Sequence, residues 1–402
     1  MKSGSNQFRQ NRFSRNARLF QAGTFMTGLG DGVILVIAQL YLISLGFDSS
    51  ELGAIFMLKF TGTALISIPA GFLADRYGKT KILISSFILF SFSALILLFY
   101  RGLELLGLSF LLFGLSDAGT VVLNPLYSSF FESGEMDKAF GLLGFLNIIA
   151  ISIGSLFGFI PPTLVQNFGF TREASYWLLI LIAMIFYFTR MSLYVLSSIK
   201  IPQEKRPSQK LGLRTKTLIT KFSLFAMLRE AGYAAFFSLF PFYANTRFGV
   251  DSDGLGSLFF LSWIFSALSN VIAARVSNSF GALKTTIFSL ALSAFLYFMI
   301  SLAPNFIWVS LIFLLRVSLA NLSSPLVSSL FMRLLPPEEK STGNSFNLMA
   351  VMVGSAIGTW FGGRLMREVS LNSPIYIGSV LYFLCTVSFY FLIGGRGEKI
   401  DK

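Results

Sequence analysis

Long apolar runs constrain this chain more than any other feature. A helix that crosses a bilayer needs about 20 mostly apolar residues. Twelve stretches meet that need, at 19–45, 51–70, 82–100, 105–131, 140–162, 175–196, 222–245, 255–274, 285–302, 306–331, 342–364 and 374–394. None alternates polar and apolar residues as a barrel strand does. The expectation is an all-α membrane protein with twelve transmembrane helices. Composition agrees: 54% of the residues are apolar, 13% are charged, and mean hydropathy is +0.70. A water-soluble chain built this way could not cover its surface with polar groups.

The residue inventory excludes several kinds of chemistry. There is no His, and the single Cys, Cys385, lies in an apolar run. His-based triads, His zinc sites and paired-thiol redox sites are therefore absent. No cofactor, metal site or enzyme active site can be assembled, and no ATP-binding loop is seen. The net charge of +13 would suggest nucleic acid in a soluble chain, but its distribution points elsewhere. With the N-terminus in the cytoplasm, the cytoplasmic loops hold 23 Lys and Arg against five on the other side. That is a strong positive-inside bias, and it places both termini in the cytoplasm. The charge reflects topology, and no nucleic-acid partner is expected. The first apolar run is too long for a signal-peptide core and reads as a retained helix in the cell membrane.

The hydrophilic stretch 197–221, with KIPQEKRPSQK, divides the chain. The expected layout is a basic cytoplasmic arm (1–18), a six-helix bundle (19–196), this linker, a second six-helix bundle (222–394) and a short tail (395–402). An internal repeat supports the division. GFDSSELGAIF (46–56) matches GVDSDGLGSLF (249–259), and PLYSSFF (125–131) matches PLVSSLF (325–331). Asn147, Ala150, Gly154, Ser155 and Gly158 match Asn347, Ala350, Gly354, Ser355 and Gly358. An even number of helices per half makes the two repeats parallel. One chain holding both halves suits a functional monomer.

Between the second and third runs stands GFLADRYGKTK (71–81). Gly71, Asp75, Arg76, Gly78, Lys79 and Lys81 resemble the signature loop of the major facilitator superfamily, with Thr80 where a second consecutive base is common. ARVSNSFGALK (274–284) is a worn second copy, with Asn278 in place of the Asp. Gly78 can take a positive φ in a tight turn. The resemblance covers the whole chain. It implies a rocker-switch transporter whose helices one, four, seven and ten line a central cavity. It also implies a cytoplasmic gate at Gly71, Asp75, Arg76, Gly78 and Lys79.

Ionisable residues inside spans are costly and point to function. Seven occur here: Asp31, Lys59, Asp117, Arg190, Arg229, Glu230 and Arg316. At about 1.5 Å per residue, Asp31 and Asp117 lie roughly 18 Å deep and Arg316 roughly 15 Å, near the midplane of a core about 30 Å thick. Asp31, Asp117 and Glu230 are candidate proton-coupling acids, Asp31 with Lys59 as a possible ion-pair partner. Asp117 has no obvious partner in its own half. Arg316 and Arg229 carry planar donor forks suited to an anionic or polar substrate group, or else pair with acids. Polar stripes at helical spacing on the first, fourth and tenth spans, the first of them through Thr24, Gly28 and Asp31, extend the expected cavity to Gln39, Asn124, Tyr127 and Asn321, and Lys59 and Tyr233 are further candidates for its lining. Arg190 is near enough to a helix end to snorkel. The Gly154–Gly158 and Gly354–Gly358 pairs suit close helix packing.

These features favour a proton-coupled exporter of a small organic molecule. An importer or uniporter on the same fold is the alternative, and a non-transporting membrane sensor or assembly factor is an alternative of another class.

Overall fold

The computed structural model describes residues 14–131, 135–198, 213–336 and 339–393. Among these the regular structure is all helical. The 1–13 part of the expected arm, the 199–212 part of the linker and the 395–402 tail lie outside the described residues. Among the described residues, ten helical segments are long and apolar enough to cross a membrane.

The first half comprises α1 (Arg15–Ser44), α2 (Ser49–Ser67), α3 (Pro69–Tyr77), α4 (Lys79–Phe99), α5 (Leu103–Ser116), α6 (Ala118–Ser128), α7 (Met136–Leu156), α8 (Ile160–Phe168) and α9 (Arg172–Ser198). The second comprises α10 (Leu213–Phe237), α11 (Phe240–Phe248), α12 (Ser252–Phe280), α13 (Ala282–Leu302), α14 (Phe306–Leu334), α15 (Lys340–Glu368) and α16 (Ser373–Ile393). Several elements run past their expected limits. Ser14 caps α1, its hydroxyl accepting from the Ala17 N–H at 3.2 Å, so residues 15–18 of the arm are helical. Helix α10 begins inside the expected linker, because Thr215 and Ile219 form a buried stripe.

Four expected spans are broken, each with a local cause. Pro69 starts α3, where its missing N–H costs nothing. In the fourth span the ladder tightens at Asp117, whose N–H bonds to the Gly114 carbonyl at 3.1 Å. The Thr120 hydroxyl takes the Asp117 carbonyl at 2.6 Å, competing with the helix. A short 3₁₀ turn at 157–159 precedes the Pro161–Pro162 start of α8. Pro241 stands in the first turn of α11, and Ser238 and Leu239 lie outside both flanking helices.

Helix pairing in one half repeats in the other. Helix α1 packs on α7 and α9, as α10 does on α15 and α16. Helix α4 packs on α5 and α9, as α13 does on α14 and α16. The repeated glycines explain the closeness. A Cβ on Gly154 would fall on the Leu29 backbone of α1, and one on Gly354 on the Met227 backbone of α10. The equivalence ends at the next pair. Gly358 faces Ala231 within its own half, whereas Gly158 faces Ser252 of the other half.

The halves meet mainly through α2 with α15 and α7 with α12. At the end away from the chain termini these seams are glycine-lined. Gly53 and Gly363 oppose each other across α2 and α15, and Gly256 lies against Ser155 and Gly158. The matched motif residues Asp48 and Asp251 cap α2 and α12, and each also meets an arginine of the opposite half. Arg367 lies 2.8 Å from Asp48, and Arg172 lies 3.7 Å from Asp251. Tyr176 donates a hydrogen bond to Asp251.

Candidate functional site

The charges within the spans of the first half, Asp31, Lys59, Asp117 and Arg190, do not form ion pairs with one another among the described residues. Asp31 accepts a hydrogen bond from the Tyr187 hydroxyl at 2.6 Å. Lys59 sits over the Phe113 ring at 4.8 Å instead of bridging to Asp31. It lines a small void of about 20 Å³ with Tyr41, Phe56 and Met184. Asp117 has a neutral partner that the sequence did not suggest: the Thr63 hydroxyl donates to it at 2.8 Å. Helices α2 and α5 can bring them together because Gly62 lies against the Leu111–Leu115 backbone and Gly114 against the backbones of Lys59 and Thr63. Arg190 does not snorkel. It is 8% exposed, lies over the Tyr187 ring at 5.0 Å, and its Nε has no hydrogen-bond partner.

Two further residues of the expected cavity are buried in packing contacts. Tyr127 is fully buried, accepting from the Gln21 amide at 2.8 Å and donating to the Ala139 carbonyl at 3.2 Å. Its helical register matches Asp117, but Gln21 on α1 supplies a better partner than a cavity. Gln39 is also buried. Its amide donates to the Ser238 carbonyl at 2.5 Å and accepts from the Phe242 N–H at 3.1 Å. It thus serves the two backbone groups freed at the α10–α11 break, from the opposite half of the molecule. Asn124 is exposed. The stripe on α1 also turns inward: Thr24 bonds the Tyr194 hydroxyl at 3.1 Å, and Gly28 packs on α7.

In the second half the expected residues do converge. Arg229, Glu230, Tyr233, Arg316, Asn321 and Tyr382 line one cavity of about 230 Å³, with Leu290, Val317, Ser323 and Ser324. Arg316 is 0% exposed. Its guanidinium lies 4.0 Å from the Phe237 ring, 4.7 Å from Tyr382, 4.9 Å from Tyr297 and 5.2 Å from Tyr233. None of its three nitrogens has a hydrogen-bond partner. Asn321 is anchored to the Ser266 hydroxyl at 3.0 Å. Tyr382 and Tyr297 escaped the sequence reading, since an aromatic in an apolar span carries no signal of its own.

The loop at 71–81 is a tight turn. Gly78 has φ 98° between α3 and α4, and Gly281 has φ 83° at the same place in the second half. The worn copy therefore keeps the conformational requirement of its glycine. Gly71 has open space where a Cβ would stand. Arg76 lies over the Tyr77 ring at 5.3 Å. Lys79 reaches the Pro125 carbonyl at 3.4 Å, near the C-terminal end of α6, where a cation suits the helix dipole. The Asp75 side chain lies outside the described residues. Between α2 and α15 lies an apolar groove of about 580 Å³, bounded by Met57, Ala64 and Leu65 on one side and Met349, Val353 and Trp360 on the other.

A charged and aromatic pocket set within helices, and a seam between two similarly paired halves, fit the class of solute transporters. The family model of the Major Facilitator Superfamily matches residues 22–249 and again 222–401. The chain belongs to that superfamily and is a multi-pass protein of the plasma membrane. It is 24% identical to multidrug resistance protein 1 of Bacillus subtilis, over 89% of this chain and 90% of that one. It is also 24% identical to the quinolone resistance protein NorA of Staphylococcus aureus, over 88% and 90%. The fold is shared with the crystal structure of the nucleoside transporter NupG, at TM-score 0.72 and 14% identity, covering 95% of this chain and 99% of that one.

Proposed function

We propose that this chain is a twelve-helix, monomeric exporter that moves a small organic molecule in exchange for protons by rocker-switch alternating access, with both termini in the cytoplasm. The ten apolar spans become twelve when the interrupted pairs α2–α3 and α10–α11 are counted as one crossing each. They read as less apolar because they carry Lys59, Arg229 and Glu230. Six crossings per half then give the layout 19–196 and 222–394 on either side of the linker.

The observation that carries the reading is the seam. Glycine contacts and two arginine–aspartate pairs close one end, while an apolar groove separates α2 from α15 further along. Such contacts are close enough to seal and weak enough to part. The relatives' names, a multidrug resistance protein and a quinolone resistance protein, support a drug-like substrate, and resistance by expulsion supports the outward direction. Asp31, Asp117 and Glu230 are the coupling acids of the proposal, because a carboxylate in a low-dielectric span can exchange a proton as its surroundings change.

Inverted membrane vesicles with an imposed pH gradient test this, with ethidium and a fluoroquinolone as probes. Gradient-driven accumulation that Asp31→Asn, Asp117→Asn or Glu230→Gln uncouples is expected. Accumulation that ignores the gradient in the unaltered protein, with all three variants equal to it, would replace exchange by uniport.

A further inference from the structure

The second-half cavity holds a charge that nothing described there balances. Arg316 is completely buried, and all three of its nitrogens lack hydrogen-bond partners. No carboxylate lies within 4.0 Å of it among the described residues. A buried, unpaired guanidinium is costly, and a transporter keeps one only if something offsets the cost. The four surrounding rings offset part of it through their π faces. Ring faces meet N–H donors only weakly and do not match the planar fork that suits a carboxylate.

The lining adds a second argument. Arg229, Glu230 and Arg316 bear two positive charges and one negative, so the cavity is positive by one. Glu230 has the Ser355 hydroxyl beside it, and it cannot balance both arginines. The first half, by contrast, carries Asp31, Asp117, Lys59 and Arg190, which sum to zero. The unbalanced site is thus confined to one pocket. At about 230 Å³ it is smaller than the roughly 300–1,000 Å³ of a whole-ligand pocket, so it takes the head of a ligand. Tyr233 and Tyr382 offer flat walls, and Asn321 and Ser324 offer polar edges.

We infer that this pocket seats the anionic head of an organic substrate, a single carboxylate or equivalent oxyanion on a flat apolar body, with Arg316 as its principal donor. The inference rests on the transporter reading above and narrows its substrate class. Seating the head requires a surrounding ring to turn aside, because the guanidinium is completely buried among four of them. Glu230 is then the rival anion: whichever carboxylate holds Arg316 excludes the other.

Binding of three isosteric probes tests this on the full chain in zwitterionic nanodiscs: 2-naphthoate, neutral 2-naphthamide and cationic 2-naphthylmethylammonium. Naphthoate should bind most tightly. Arg316→Gln should raise its Kd at least tenfold while leaving the amide within about threefold. Should Arg316→Gln fail to fold, Ser324→Asp adds a negative charge at the pocket edge and should weaken naphthoate by a similar factor. Tighter binding of the cation than of naphthoate overturns the inference, as does naphthoate binding that neither variant changes. Repeating the titration with phosphatidylglycerol in the disc separates two sources of the anion. Competition assigns the seat to a lipid headgroup, and its absence assigns it to a soluble acid. Vesicles that transport the cation but not naphthoate would remove the anion seat and leave the transporter reading standing. Vesicles that transport none of the three probes, while naphthoate still binds through Arg316, would do the reverse.

Discussion

Gly362 and Gly363 are neighbours on α15 that face different partners, and this makes them a sharp test of the seam. A Cβ on Gly363 would stand 3.0 Å from the Gly53 Cα and nearer still to the Ser49 carbonyl oxygen, both in the opposite half. A Cβ on Gly362 would strike the Ala235 backbone of its own half. Backbone atoms cannot step aside as side-chain tips can, so in each case a helix must move. Overpacking of this kind costs about 1–3 kcal/mol. At Gly363→Leu the cost falls only on the state in which the halves touch at this end, so the equilibrium should shift toward its opposite by about 5–150-fold. At Gly362→Leu it falls on the half itself, in every conformation, and should appear as lost thermal stability. Gly141→Leu, where nothing lies within 4 Å, is the control for adding bulk. Spin labels on Phe168→Cys and Val369→Cys, exposed sites on opposite halves, in a Cys385→Ser background, read the separation. Gly363→Leu should move the distance distribution outward at a near-normal melting temperature, and Gly362→Leu should lower that temperature with distances unchanged. Equal behaviour of the two variants, or an unmoved distribution in Gly363→Leu, would refute the account of the seam.

Two further outcomes follow from the same geometry. Gln39→Leu removes both bonds to the α10–α11 break and leaves buried backbone groups unmet, a loss of about 1–3 kcal/mol; hydrogen exchange at the Phe242 amide should speed up accordingly, and unchanged protection would show that the amide has another partner. Asp48→Asn cuts an ion pair whose two side chains are 37% and 57% exposed, so its charge should contribute no more than about 1 kcal/mol; a larger drop in melting temperature would mean that the pair and not the glycines closes this end.

Much of the fold was legible because the bilayer simplifies the reading. Where no water can satisfy the backbone, an apolar run of sufficient length has one outcome, a helix. The glycines at 154 and 354 and the turn at Gly78 were readable for a related reason: only one residue type fits a backbone-on-backbone contact or a positive φ. Helix breaks were harder. The spans expected at 51–70 and 222–245 hold Pro69 and Pro241, which fit a continuous apolar run and a helix start equally well, and the break at Asp117 depends on the Thr120 hydroxyl capturing a carbonyl, which the same residues in another rotamer would not do.

The sequence by itself determined which residues are charged within the spans, since the cost of placing an ion in lipid depends on the residue and its depth. It could not say what those charges face. Gln39, Tyr127, Thr24 and Asp31 share helical positions that serve a cavity or a neighbouring helix equally well. Only packing decided that Tyr127 meets Gln21, that Asp31 meets Tyr187 and that Gln39 reaches across to the other half. The same holds for Arg316. Its midplane depth was a matter of counting residues, whereas the ring of four aromatics from three other helices is a tertiary fact. Partners distant in the chain are brought together by helix crossing angles and small-residue contacts, and no local pattern encodes those.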